Sequence, residues 1–277
     1  MESYFPIPPN IKLNSLEKIT GSITFLNHPS NMIKNIFTKK YRDLVFLAVY
    51  RLDKNHWKLL NIFEVKPFEF VEINRSKYEC KDNQMLIAVI KKKKSFESKC
   101  HILPIPDSLR LDNSPVAERV SFNFNLQNSR TSYQGEYPLK MAQTNRGSLW
   151  CFDTMKDNLS DNSNSYLIFM HLNIDSSKKD KINLQVTNSR TMHKKKLTVK
   201  KNSFSIFNCE EYEDNKGLKD TYYIQSNESM FLPMILSVDE LSKQLSIEHT
   251  TPPVEFLMGG KNKYQIVNLI KEKSNLK

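Results

Sequence analysis

The chain has 277 residues, a formal charge of +11, a pI near 9.3 and a mean hydropathy of −0.53. Hydrophobic residues make up 39% and aromatics 10%, enough for a true core and too much for a disordered chain. Six glycines leave little room for phosphate cradles, and neither G-x-x-x-x-G-K-[ST] nor G-x-G-x-x-G occurs, so P-loop and dinucleotide-binding classes are set aside.

The opening "MESYFPIPPNIKLNS" lacks a basic stretch followed by an apolar one, and no apolar run is long enough to span a bilayer. The expectation is a cytoplasmic protein without a membrane span. "SNMIKNIFTKKYRD" (30–43) carries a weak helical pattern with Ser30 as a cap. "LVFLAVY" (44–50) is apolar on both faces and reads as a central strand. It opens a hairpin that turns near Asp53–Asn55. "EVKPFEFVEIN" (64–74) and then "MLIAVI" (85–90) follow as strands.

"HILPIPDSLRLDNSPVAE" (101–118) holds Pro104, Pro106 and Pro115 and no sustained period. It marks a join between an N-terminal domain, 1–112, and a C-terminal domain, 113–277. Beyond it, "RVSFNFNLQN" (119–128) alternates cleanly, with Val120, Phe122, Phe124 and Leu126 on one face and Ser121, Asn123, Asn125 and Gln127 on the other. A loop is predicted over 128–147, before the strand "SLWCFD" (148–153). "YLIFMHL" (166–172) is another central strand. Hairpins are predicted near Asp175–Asp180 and near Asp239–Lys243. The second half repeats the order of the first, with "TVKKNSFSIFN" (198–208) matching 64–74 and "TYYIQS" (221–226) matching "MLIAVI". "KNKYQIVNLIKEK" (261–273) reads as an amphipathic helix carrying Tyr264, Val267, Leu269 and Ile270. The fold expected is all-β: tandem β-sandwich-like lobes, jelly-roll or Ig-like, with a short C-terminal helix.

A loop of about twenty residues without its own structure is usually functional. The 128–147 segment combines Tyr133 and Tyr137 with Arg130, Gln134, Glu136 and Arg146, while Gly135 allows a positive φ. Rings stack on sugar C–H faces and the polar groups pair with hydroxyls. The function expected is therefore a non-catalytic recognition or assembly protein that binds a glycan or other polar ligand there. Trp150 is a further candidate platform. The alternative is a carbohydrate-active or metal-dependent enzyme using Glu136, Asp153, Glu248 and His249. Strand parity opposes it, since Glu248 and His249 point to opposite faces. A structural, oligomer-forming protein is a third class.

No HExxH, paired-histidine or C-x-x-C spacing is present, so no metal ligand and no cofactor is assigned. Cys80, Cys100, Cys151 and Cys209 read as free thiols. "KKKK" (91–94) and "HKKK" (193–196) flank strands and read as solvated ends that blunt edges, not as a specific nucleic-acid site. The positive charge is mostly lysine, whereas base and phosphate recognition favours arginine forks.

Overall fold

The computed structural model describes residues 2–13, 15–27, 44–108, 120–139, 142, 148–153, 163–172, 174, 180–188, 191–209, 221–226 and 232–249. Nearly all of them are strand or the turns between strands. The chain forms two compact units, Met1–Gln143 with Asn173–Ser177, and Thr144–Leu172 with Lys178–Lys277. The expected helix at 261–273 and the weaker one at 30–43 lie outside the described residues.

The first unit contains β1 (Ser3–Pro6), β2 (Ile11–Lys12), β3 (Lys18–Leu26), β4 (Val45–Asp53), β5 (His56–Val65), β6 (Phe70–Asn74), β7 (Leu86–Lys91), β8 (Lys99–Cys100), β9 (Val120–Leu126), β10 (Ser129–Gly135) and β11 (Tyr137–Pro138). One sheet has the order β11-β1-β7-β4-β5-β8. The other runs β10-β9-β3-β2, with β6 also paired to β3. Both contribute to one core. Phe5, Val45, Leu47, Val49, Val65, Leu86, Ala88 and Ile90 come from the first sheet, and Ile23, Phe25, Ile73, Val120 and Phe122 from the second. Two sheets packed face to face make a sandwich. β4 and β7 sit inside their sheet with both faces buried, as their apolar composition predicts.

The second unit contains β12 (Ser148–Asp153), β13 (Ser163–His171), β14 (Lys181–Asn188), β15 (Lys194–Lys200), β16 (Ser203–Asn208), β17 (Thr221–Ser226), β18 (Leu232–Asp239) and β19 (Leu245–His249). Its sheets run β12-β17-β14-β15 and β16-β13-β18-β19. These orders repeat β1-β7-β4-β5 and β6-β3-β9-β10 strand for strand. The match extends to single bonds. Phe68, at φ 65°, donates its N–H to the Asn27 carbonyl at 2.7 Å; Asn202, at φ 52°, donates to the His171 carbonyl at 2.9 Å. The segments 64–74 and 198–208, alike in sequence, therefore occupy the same place in each unit. Val45, Leu47 and Val49 correspond to Ile182, Leu184 and Val186, all buried.

Two local expectations change. The segment after residue 113 belongs with the first unit through residue 143, because β9 pairs with β3 and β11 with β1. β13 and β14, which flank the hairpin expected near Asp175–Asp180, do not pair with each other. β13 pairs with β16 and β18, and β14 with β15 and β17, so the connection passes from one sheet to the other. The turns near Asp53–Asn55 and Asp239–Lys243 do close hairpins, with Lys54 and Lys243 at φ 54° and 61°.

Two contacts hold the edges of the first unit. Arg75, fully buried in a short 3₁₀ turn after β6, donates through Nη2 to the carbonyls of Lys81 (2.7 Å), Asp82 (3.1 Å) and Gln84, and through Nη1 to that of Ile7 (3.4 Å). Burial pushes its pKa down, yet a guanidinium starts so high that it stays charged. Gly21 in β3 lies against the Pro8–Pro9 backbone and donates its N–H to Asn10 Oδ1 at 3.1 Å.

A Cβ on Gly21 would lie 2.2 Å from the Pro8 carbonyl oxygen, and backbone cannot swing aside. Gly21→Ala is expected to lower unfolding free energy by about 2–3 kcal/mol in urea titration. At the β4–β5 turn, Arg51 holds Asp53 through Nε–Oδ1 at 2.8 Å and Nη2–Oδ2 at 2.9 Å, which depresses the Asp53 pKa. A depressed carboxylate stabilises above its unfolded pKa and loses that contribution as pH falls through the folded value. Wild type should therefore lose roughly 0.5–1 kcal/mol more than Asp53→Asn between about pH 5 and pH 2 in unfolding titrations.

Candidate functional site

The stretch after Leu126 is not a loop. The chain turns at Gln127–Asn128, with Gln127 at φ 51°, and returns as β10 in register with β9, from Ser129 opposite Leu126 to Gly135 opposite Val120. β11 then pairs with β1, Tyr137 opposite Tyr4. The segment did not read as a strand because its inward positions are Ser129, Thr131, Tyr133 and Gly135, which offer one large side chain in four. Edge position makes so weak an inner face sufficient.

Register sorts the expected site residues. Arg130, Ser132 and Gln134 share the outward face with Asn125, Asn123 and Ser121. Tyr133 turns inward. Its ring lies 5.2 Å from that of Phe122 and its hydroxyl is enclosed, so burial, aided by Glu136, pushes the phenol pKa well up. Gly135 serves space and not a positive φ, since a Cβ there would come within 2.5 Å of the Phe122 ring. Tyr137 is fully buried and Glu136 half-buried. The Tyr137 ring is thus committed to the interior, and the partly buried Tyr133 ring packs against Phe122. Arg146 lies outside the described residues.

What gathers on the outward face is a polar row across four strands. Ser22 Oγ donates to Glu72 Oε1 at 2.8 Å. Asn123 Nδ2 donates to Ser22 Oγ (3.3 Å) and Thr24 Oγ1 (3.1 Å). Arg130 Nη2 donates to Thr24 Oγ1 at 3.3 Å and lies 3.4 Å from Glu72 Oε1. Asn125 Nδ2 reaches the Thr20 carbonyl at 3.4 Å. The middle of the row is enclosed, Ser22 at 0% and Asn123 at 1% exposure, while the Arg130 and Glu72 side chains remain 46% and 37% exposed. At the end of β3 and β6, Leu26 pairs with Phe70 across the same face; Phe70 is 69% exposed, and Phe68 in the preceding turn 55%.

Sequence reasoning reached Arg130, Gln134, Asn123 and Asn125 but missed Glu72, Ser22, Thr24 and Phe70. The signal was present in "FVEIN". Val71 and Ile73 face the core, which leaves Phe70, Glu72 and Asn74 outward by alternation.

The residues of the enzymatic alternative fall on different elements. Glu136 follows β10 in the first unit. Asp153 ends β12 opposite Thr221, and Glu248 and His249 close β19 opposite Ile235 and Met234, in the other sheet of the second unit. Trp150 sits opposite Ile224, the register position that Phe5, opposite Ala88, holds in the first unit. Among the described residues no three His, Cys, Asp or Glu side chains are grouped to hold a metal ion. Cys80, Cys100 and Cys209 are free thiols, and burial pushes the Cys80 and Cys100 pKa values up. In the run 91–94, Lys91 pairs with Asp107 (3.6 Å) and Lys94 with Glu64 (2.9 Å). No helix among the described residues is long and apolar enough to cross a membrane.

Comparison with known proteins finds no matching family model, no matching curated protein and no matching solved structure.

The buried tyrosine and the outward arginine separate packing from surface chemistry. Tyr137→Ala is expected to cost about 3–5 kcal/mol of unfolding free energy, whereas Arg130→Ala costs under about 1 kcal/mol, both read from denaturant midpoints.

Proposed function

We propose that this is a non-catalytic recognition protein whose first unit binds a polyhydroxylated ligand, a glycan, on the outward face of β6-β3-β9-β10. The observation that carries this reading is the juxtaposition, on one sheet face, of half-exposed Arg130 and Glu72 with the strongly exposed ring of Phe70. Phe70 and Glu72 are two residues apart on one strand, so their side chains stand about 6.5–7 Å apart along the same face, the scale of one sugar ring. Phe70, with Phe68 beside it, takes the stacking role first assigned to Tyr133 and Tyr137. Arg130 donates, Glu72 accepts, and Gln134 does both, which suits hydroxyls that do both.

The enclosed Ser22–Asn123–Thr24 bonds favour recognition over catalysis. They fix the exposed groups on a rigid sheet, so little side-chain entropy is lost on binding. The face also holds one carboxylate, Glu72, among the residues assigned to it, while glycoside hydrolysis ordinarily needs a pair.

The test is a glycan array probed with wild type, Phe70→Ala and Arg130→Ala. A defined glycan should bind wild type, and each substitution should weaken it at least 10-fold while the melting temperature moves by less than about 3 °C, as expected for surface changes. Wild type binding no glycan, or variants that bind undiminished, defeats the proposal.

A further inference from the structure

β14 and β15 pair antiparallel, and the two faces of the pair differ. Ile182, Leu184 and Val186 of β14 and Leu197 and Val199 of β15 are buried on one face. Alternation puts the residues between them on the other. There Lys181 stands opposite Lys200, Asn183 opposite Thr198, Gln185 opposite Lys196 and Thr187 opposite Lys194. Thr198 donates its hydroxyl to Asn183 Oδ1 at 3.2 Å, and Gln185 Nε2 reaches Thr187 Oγ1 at 3.5 Å, as side chains of one face should. Lys181, Lys194, Lys196 and Lys200 are all exposed.

The charge here is one-sided. The described residues of 180–201 hold six lysines and one carboxylate, Asp180. Among the described residues, Lys181, Lys196 and Lys200 have no carboxylate partner, whereas in the first unit Lys91 pairs with Asp107 and Lys94 with Glu64. Like charges directly opposite across a strand pair destabilise it, so Lys181 against Lys200 costs stability. Edge protection explains lysines on β15, the last strand of its sheet, but does not call for a like charge opposite Lys200. The first unit differs at the same positions. Val65 opposite Val45 matches Val199 opposite Ile182, so Lys196 stands where Ile62 stands and Gln185 where Ala48 stands. The shared scaffold itself does not require lysine at this place.

We infer that this face of β14 and β15 is a sequence-independent docking surface for the sugar–phosphate backbone of a nucleic acid. Charge complementarity argues for a polyanion, and the arrangement argues for a linear one. Residues two apart on a strand stand about 6.5–7 Å apart, so Lys194, Lys196 and Lys200 form a row about 20 Å long and one strand wide, with Lys181 flanking its end. Lysine binds phosphate as a point charge, and amide and hydroxyl side chains such as Asn183, Gln185 and Thr198 are usual companions in backbone contacts. Neither β14 nor β15 carries an arginine, so there is no fork to read base edges. A membrane surface fits less well, because docking there joins basic residues to apolar anchors. The strongly exposed large apolar side chains among the described residues lie on other elements. This surface belongs to the second unit and is separate from the glycan face proposed for the first.

The test is fluorescence anisotropy with the full chain and two labelled probes of mixed sequence, a single strand and a duplex, titrated between about 50 and 200 mM salt. Wild type should bind at least one of them, with log K falling against log[salt] at a slope of about −3 to −4, as four lysine–phosphate contacts require. Lys181→Gln with Lys196→Gln and Lys200→Gln should weaken binding by about 10-fold or more, whatever the probe sequence, and reduce the slope by about 3. Because Lys181 and Lys200 repel, this triple substitution should not lower the melting temperature. The control removes the same charge from exposed positions elsewhere, Lys58→Gln with Lys92→Gln and Lys93→Gln, and should change affinity by less than about 3-fold. An equal effect of the two triple substitutions overturns the inference. So does tighter binding to a sulfated glycan of matching charge, or to phosphatidylserine vesicles, than to either oligonucleotide. Absence of binding at about 50 mM salt overturns it equally.

Discussion

The arrangement of the first unit depends on how Asn123 and Ser22 are satisfied. Both are enclosed polar groups in the middle of a sheet, on the face turned away from the apolar core. A buried amide left without partners costs about 1–3 kcal/mol. Here the Asn123 amide bridges Ser22 and Thr24, and Ser22 in turn reaches Glu72. These bonds run across β9, β3 and β6, so they hold only in one register. A slip by one residue would break them all and turn Ile23 and Phe122 out of the core. The polar row and the apolar core thus enforce the same alignment from opposite sides, and the positions of Arg130 and Glu72 follow from it.

Much of the architecture was legible because strand alternation is a local property. Val120 to Leu126 announce both faces of β9, and the doubly apolar β4, β7 and β13 announce central strands. The repeat between 64–74 and 198–208 was visible as well, and it marks equivalent turns. The candidate site was less legible because its members are far apart in sequence. Glu72 meets Ser22 across 50 residues and Asn123 meets Ser22 across 101. No periodicity reports a pairing of that kind. Tyr133 and Tyr137 misled for a related reason. An aromatic between polar residues looks exposed until an edge strand is recognised and its parity applied. The connection between β13 and β14 misled because turn chemistry signals a reversal but not whether the next strand joins the same sheet.

The two units show how one scaffold carries different surfaces. Their inward positions are conservative, Val45, Leu47 and Val49 against Ile182, Leu184 and Val186, because the distance between two packed sheets tolerates little change in volume. Their outward positions are free of that constraint. Ser22, Thr24, Asn123 and Glu72 satisfy one another by hydrogen bonds, whereas Tyr166, Ile168, Leu236 and Ile206 are mostly apolar. Function in such a pair is decided on the side of each sheet that the fold itself does not use.

The wide spacing of the polar row also orders its assembly in time. The β9–β10 hairpin closes across a two-residue turn, and β4–β5 across a similarly short one, so both can form early and independently. The pairing of β3 with β9 closes a span of roughly a hundred residues, and such distant closures come late. During synthesis β3 and β6 emerge long before β9 exists, and β3 must wait with one edge unpaired and Phe70 beside it. The face proposed for ligand binding borders, until then, an open strand edge, the part of the nascent chain most in need of shielding from its neighbours.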